Sequence, residues 1–91
     1  MKLKMCYVYV IGSNRGGQLR KLNGPRTYVG WTTDLENRLK AHNSGAGAKS
    51  TRGRKWKLLY AERYKSRSEA MSREWKLKRD RKFRKRLGTL F

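Results

Sequence analysis

At 91 residues the chain has room for one domain with a small core and for no second. Its 25 Lys and Arg stand against 6 Asp and Glu, a formal net charge of +19 that repels itself unless a polyanion neutralises it, which makes nucleic acid the leading partner. A membrane partner is disfavoured because neither a long apolar stretch nor a clean amphipathic anchor is present. One cysteine, Cys6, and one histidine, His42, can form neither an internal disulfide nor a Cys/His zinc site.

The N-terminal MKLKMCYVYVIG joins a basic start to a short apolar run rich in β-branched and aromatic residues, and it ends in Gly-Ser-Asn, not in a small-residue cleavage site. It reads as a first strand over residues 5–12 with Cys6 buried in it, and the chain is expected in the cytoplasm, or in nucleoid or nucleus with a nucleic-acid partner. GSNRGGQLRKLNGPR reads as a long hairpin connection and TYVGW as the returning strand. A glycine inside that half-buried strand, Gly30, marks a bulge or a close approach by another backbone or a ligand. TTDLENRLKAHNSG carries a helix, with Thr33 and Glu36 as a capping box, Leu35 and Leu39 on one face and Gly45 closing it. AGAKSTRGRK is a basic loop and WKLLYAERYK a third strand. KSRSEAMSREWKLK opens a second helix with Ser66 and Glu69 as its capping box, and RDRKFRKRLGTLF continues as helix after a bend near Asp80. The order β-β-α-β-α-α predicts a single α+β domain over residues 1–91, a mostly antiparallel three-stranded sheet flanked by helices, with a basic C-terminal helix at about 79–88.

Certain polar residues fall on apolar faces. Arg38 and His42 share the stripe of Leu35 and Leu39, related by steps of three and four, and so point inward or into a cleft. On the second helix Ala70, Met71, Glu74, Trp75 and Leu77 form the apolar face with Glu74 in its middle, where an unpaired carboxylate is costly. Each has a plain structural reading as well: Glu74 as a helical salt bridge to Lys78, Arg38 as a solvated residue, His42 as a cation at a helix C-terminus, and Tyr7, Tyr9 and Tyr28 as strand packing. Together they bring phenols, a guanidinium, an imidazole and a carboxylate onto elements that pack against one another.

GAGAKST is not a phosphate-binding P-loop: it lacks the glycine immediately before the lysine and the first glycine at the required offset. Its loop offers Lys49, Arg52, Arg54 and Lys55 to phosphates. In the C-terminal helix, Arg81, Arg84 and Lys85 are expected to present a positive surface to a nucleic-acid backbone without reading sequence, while Leu77, Phe83 and Leu87 anchor one side.

In order, YVYVI, TYVG, DLENRLKAHNSG, GAKSTRGRK, WKLLYAERY and EAMSREWKLK resemble the GIY-YIG nuclease domain, particularly its small standalone members, from about residue 5 to residue 80. The resemblance gives Tyr9 and Tyr28 the places of the two motif tyrosines, Arg38 that of the helix arginine, His42 that of the residue one turn later and Glu74 that of the metal-binding glutamate. Two departures are mild: the first motif is Tyr7-Val8-Tyr9 in place of Gly-Ile-Tyr, and the hairpin connection is longer than in small relatives and suits an added contact surface. Gly30 then lies at a strand end beside the active-site helix, where its missing Cβ lets that helix and a phosphodiester come close. The implied activity is a metal-dependent endonuclease hydrolysing DNA in repair, recombination or processing, with one Mg²⁺ or Mn²⁺ on Glu74, Arg38 on the nonbridging oxygens, and Tyr9, Tyr28 or His42 as the base. The implied partners are DNA, branched and flapped forms among it, and a protein for targeting. The rival reading is a non-catalytic nucleic-acid binder, such as a small ribosome- or RNA-associated protein, for which Glu74 has no use.

Overall fold

The computed structural model describes residues 4–13 and 26–88; of the predicted hairpin connection, residues 12–26, Gly12, Ser13 and Arg26 belong to strands and the rest lies outside the described residues. Strands β1 (Cys6–Ser13), β2 (Arg26–Thr32) and β3 (Lys57–Tyr64) form one antiparallel sheet in the order β2-β1-β3. Helices α1 (Leu35–Ser44), α2 (Arg67–Arg79) and α3 (Arg81–Gly88) pack around it, and a 3-10 turn, Lys49–Thr51, lies between α1 and β3. The α+β architecture is the one that the element order predicts.

β1 has a strand on each edge and side chains packed on both faces, which is why CYVYVI is apolar throughout and does not alternate with polar residues. On one face Cys6, Val8 and Val10 meet Val29 of β2 and Ala70 and Leu77 of α2, and Phe83 and Leu87 of α3 close the cluster. On the other, Tyr9, Ile11 and Trp56 pack with Tyr28 and with Leu35 and Leu39 of α1. A register shift between Val10 and Ile11 pairs Val10 with Tyr60 but Ile11 with Leu58, so β3 carries one extra residue there. Burying a side chain the size of Leu77 contributes roughly 1.5–3 kcal/mol, so α2 is held to the sheet chiefly by that leucine and Ala70, both fully buried.

The helix ends follow local chemistry. At α1 the cap is Asp34, not the predicted Thr33: its carboxylate accepts from the Asn37 N–H at 3.1 Å, while Thr32 Oγ1 accepts from the Asp34 N–H. An ionised carboxylate outcompetes a hydroxyl at a helix N-terminus because it also meets the dipole. Gly45 closes α1 in the left-handed region, φ 88°, as predicted. Ser66 caps α2 by accepting from the Glu69 N–H, and its hydroxyl donates to the Glu69 carboxylate. The predicted bend falls at Asp80, which ends α2 and accepts from the Phe83 N–H to start α3. The predicted apolar face of α2 is only partly buried: Met71 and Trp75 are 46% and 58% exposed, with the Arg79 guanidinium stacked on Trp75. The sheet is narrow enough that Ala70, Arg73, Glu74 and Leu77 cover it, leaving the next stripe to solvent.

A second polar cluster ties α2 to β3. Arg73 grips the Glu62 carboxylate with Nε and Nη2 at 2.8 and 3.0 Å, and the Tyr60 and Tyr64 hydroxyls donate to the same carboxylate. Burial pushes Glu62 up, but Arg73 and the two phenols outweigh it and hold the carboxyl below its usual range. The carboxylate is therefore paired and structural, and it fixes the rotation of α2.

If Asp34 is the cap, Asp34→Ala destabilises the protein by about 1 kcal/mol, whereas Thr33→Ala stays within about 0.5 kcal/mol of the parent. Urea titrations of the two variants check this, and the reverse order would return the cap to Thr33.

Candidate active site

The sheet register places Tyr9 between two of the smallest residues available: it pairs with Gly30 on β2 and with Ala61 on β3. Its phenol lies across Gly30, where a Cβ would stand 2.5 Å from Tyr9 Oη and 2.7 Å from Cζ. This corrects the expectation for Gly30: the missing side chain makes room for the tyrosine of the neighbouring strand, with no helix or ligand needed to explain it.

Tyr9 Oη sits 2.8 Å from Nε2 of His42 and accepts from Nε of Arg38 at 3.3 Å. Arg38 and His42, one turn apart on α1, thus both reach the same oxygen. Tyr28 completes the group: its ring centroid is 4.9 Å from that of His42 and 6.4 Å from that of Tyr9. Four of the five predicted catalytic residues therefore converge. His42 is fully buried, and its other nitrogen, Nδ1, lies 2.9 Å from Thr51 Oγ1. The Thr51 hydroxyl donates to the Ala48 carbonyl, and the Thr51 carbonyl accepts from the Trp56 indole N–H. Gly47 presses on the imidazole from outside: a Cβ there would meet Nδ1 at 2.5 Å. Asn43, next along α1, accepts from the Trp56 N–H and donates to the Trp56 carbonyl, bracing the loop against the helix.

The electrostatics follow from burial and from Arg38. Burial pushes the Tyr9 phenol above its usual value, against the Arg38 guanidinium, which pulls it down. Burial and then Arg38 hold His42 below the usual histidine range, so the imidazole is neutral at pH 7. The hydrogen bond to Tyr9 and the nearness of Tyr28 raise Arg38 further. The cluster is thus a neutral imidazole and a neutral phenol beside a fixed cation.

Glu74 comes from α2. It makes no hydrogen bond to the four among the described residues, and its charge is the smallest of the influences on the Tyr9 phenol, after burial, Arg38 and Tyr28. The other five acidic residues have local structural places: Asp34, Glu69 and Asp80 at helix starts, Glu62 on Arg73, and Glu36 in the first turn of α1. Glu74 has a loose pair with Lys78, 3.6 Å, with 20% of its side chain exposed. Glu74 and Glu36 are the two acidic residues without a side-chain hydrogen bond among the described residues.

The predicted phosphate contacts divide. Lys49, Arg52 and Lys55, on the loop that walls His42, are exposed, as are Arg81 and Lys85 on α3. Arg54 is half-buried, with Nη1 3.5 Å from the Ser13 carbonyl. Arg84 turns inward: it donates to the Leu77 and Lys78 carbonyls at 3.1 and 2.7 Å and to Thr27 Oγ1, so it closes the end of α2. Sequence reasoning missed Thr51, Asn43 and Gly47; the one signal was that a histidine on an apolar stripe needs a partner for each ring nitrogen.

Residues 5–87 match the GIY-YIG catalytic domain family. A UPF0213 protein of Clostridium perfringens is 45% identical over 76 residues, 82% of this chain and 72% of that protein. A UPF0213 protein of Streptococcus pneumoniae is 44% identical over 78 residues, covering 85% and 70%, and one of Halobacterium salinarum is 43% identical over 75 residues, covering 81% and 86%. No solved structure matches. With Tyr9, Tyr28, Arg38 and His42 gathered at one point of this sheet-and-helix frame, the chain belongs to the GIY-YIG family, as a small catalytic domain of nuclease type whose substrate is DNA.

Proposed function

We propose that the protein is a divalent-metal-dependent endonuclease that hydrolyses DNA phosphodiester bonds in repair, recombination or DNA processing. The observation that supports this best is the shared oxygen: Tyr9 Oη lies between Nε2 of the His42 imidazole and the cation of Arg38. Hydrolysis needs an acceptor for the proton of water and positive charge near the phosphoryl oxygens, and this oxygen borders both. Tyr9 takes the proton of water as it passes its own to Nε2, so that no free phenolate forms and the imidazole ends as imidazolium. Arg38 stabilises the charge that develops on Tyr9 and presents its outer nitrogens to nonbridging oxygens. Tyr28, half-buried beside His42, lines the space that the water enters.

The donor set suits a hard cation: one carboxylate, Glu74, with only a loose ammonium contact, and among the described residues no cluster of three or more His, Cys, Asp or Glu, which leaves the remaining positions to water and phosphate oxygen. When bound, one Mg²⁺ or Mn²⁺ at Glu74 supplies charge neutralisation on the phosphoryl and leaving oxygens. Lys49, Arg52, Lys55, Arg81 and Lys85 hold the DNA backbone without reading sequence.

A cleavage assay with purified protein on duplex, flap, branched and single-stranded DNA, with and without Mg²⁺, tests the reading. Glu74→Ala abolishes metal-dependent cutting while DNA binding persists, since the carboxylate serves the ion and the basic surface serves affinity. A variant that cuts at the parent rate reduces Glu74 to a salt-bridge partner of Lys78.

The pH profile follows from the groups facing His42: Tyr9 from β1, Tyr28 from β2, Arg38 on its own helix and Thr51 from the 3-10 turn. Protonating Nε2 removes the acceptor, so kcat/KM is lost as pH falls through the folded-state pKa of His42, which lies below the ordinary value of about 6.5. Stability changes with the same sign, because below about 6.5 the unfolded chain binds a proton that the folded imidazole refuses. An acidic limb centred at or above about 6.5 argues against His42 as the acceptor.

For the backbone clamp, Arg81 and Lys85 are changed together to Gln and Arg84 is left in place to close α2. Affinity measured across a salt series becomes less salt-dependent by about 0.9 in the log–log slope per lost contact on duplex DNA, equally on unrelated sequences. An unchanged slope means that α3 does not touch the backbone.

A further inference from the structure

We propose that Thr51 is a positioning residue that fixes the tautomer of His42, and so decides that Nε2 is the nitrogen able to accept the proton of Tyr9. The inference rests on the nuclease reading for its consequence and on the hydrogen bonds alone for its geometry. A threonine hydroxyl has one proton. Thr51 donates it to the Ala48 carbonyl at 2.8 Å, an oxygen that can only accept. Oγ1 therefore faces Nδ1 of His42, 2.9 Å away, with a lone pair, and Nδ1 must carry the ring hydrogen. In a neutral imidazole this leaves Nε2 unprotonated, and across 2.8 Å the Tyr9 hydroxyl is then the donor. Its oxygen keeps lone pairs, one of which accepts from Arg38. The direction of every bond in the series is fixed by the carbonyl at its far end.

The turn is built to hold this arrangement. Thr51 and His42 are both fully buried, so water does not offer either an alternative partner. The Thr51 main chain is anchored twice, by its N–H on the Ala48 carbonyl at 3.0 Å and by its carbonyl on the Trp56 indole at 2.8 Å. Gly47 shuts the imidazole in from the other side, with no room for a Cβ beside Nδ1. If Nδ1 lost its acceptor, the imidazole would place its hydrogen on Nε2 and donate to Tyr9, and the phenol could no longer hand its proton inward. This is the role of an orienting third group behind a general base.

The test compares Thr51→Val, which keeps shape and the main-chain anchors but removes the acceptor, with Thr51→Ser, which keeps the hydroxyl. Nitrogen-15 NMR of the His42 ring reads the tautomer, and steady-state kinetics with Mg²⁺ on the best-cut DNA of the panel separates kcat from KM. The parent shows hydrogen on Nδ1. Thr51→Val moves it to Nε2 and lowers kcat by about 10²-fold or more with KM and DNA affinity unchanged, and Thr51→Ser restores both readouts. Hydrogen on Nε2 in the parent overturns the proposal. So does a Thr51→Val protein that keeps the Nδ1 hydrogen or the parent kcat, or a folded Thr51→Ser protein as impaired as Thr51→Val. If Thr51→Val does not fold, the parent tautomer and Thr51→Ser still decide. A parent that cuts no DNA defeats the nuclease reading, and the NMR comparison then decides separately whether Thr51 sets the imidazole.

Discussion

A fully buried imidazole must have a partner on each nitrogen, and most of this fold can be read as the means of supplying them to His42. One partner, Tyr9, comes from the central strand and must cross its neighbour to arrive, which forces glycine at position 30. The other, Thr51, comes from a 3-10 turn whose main chain is held by Trp56, and Trp56 is in turn gripped by Asn43 beside His42. An unsatisfied polar group in the interior costs about 1–3 kcal/mol, a large fraction of the stability of a 91-residue domain. Strand register, turn and helix end are thereby coupled through a single side chain, and the cluster is rigid because any one shift orphans a nitrogen.

The two halves of the site are held by different means. Tyr9, Arg38 and His42 are joined by direct hydrogen bonds on the face of the sheet that α1 covers. Glu74 rides on α2, which is seated by Ala70 and Leu77 and turned by the Arg73–Glu62 pair. Both layers share β1, whose alternate residues supply Tyr9 to one and Val8 and Val10 to the other. The two layers are therefore joined through the alternating side chains of one strand, not through a loop.

The elements were legible because each carries a local signal: apolar runs for the strands, Ser66 and Glu69 for the start of α2, Gly45 for the end of α1, Asp80 for the break. Arg38 and His42 were legible as polar residues on an apolar stripe. What the sequence hid depends on register and on neighbours far along the chain. Gly30 is explained by Tyr9, 21 positions earlier, only once the pairing is known. Thr51 sits in a loop whose Gly, Ser and Lys content suggests solvent, yet it is buried because His42 needs it. Arg84 looks like its basic neighbours but reaches back to α2, and Thr33 lost the cap to an adjacent carboxylate, a contest that propensity alone does not decide.

Charge ties the site to the surface around it. Among the described residues most lysines and arginines are exposed, whereas the site cluster holds Arg38 as its cation, which lowers His42 after burial does. On the proposed reading, a phosphodiester drawn in by the surface places negative charge against Arg38, offsetting the field that lowers His42. Burial that excludes water at the same moment strengthens that effect. The affinity of Nε2 for a proton then rises when substrate is in place and stays low when it is not. Burial first and Arg38 second keep the proton affinity of His42 low in the free protein, and on the proposed reading Arg38 is the group through which the phosphate raises it.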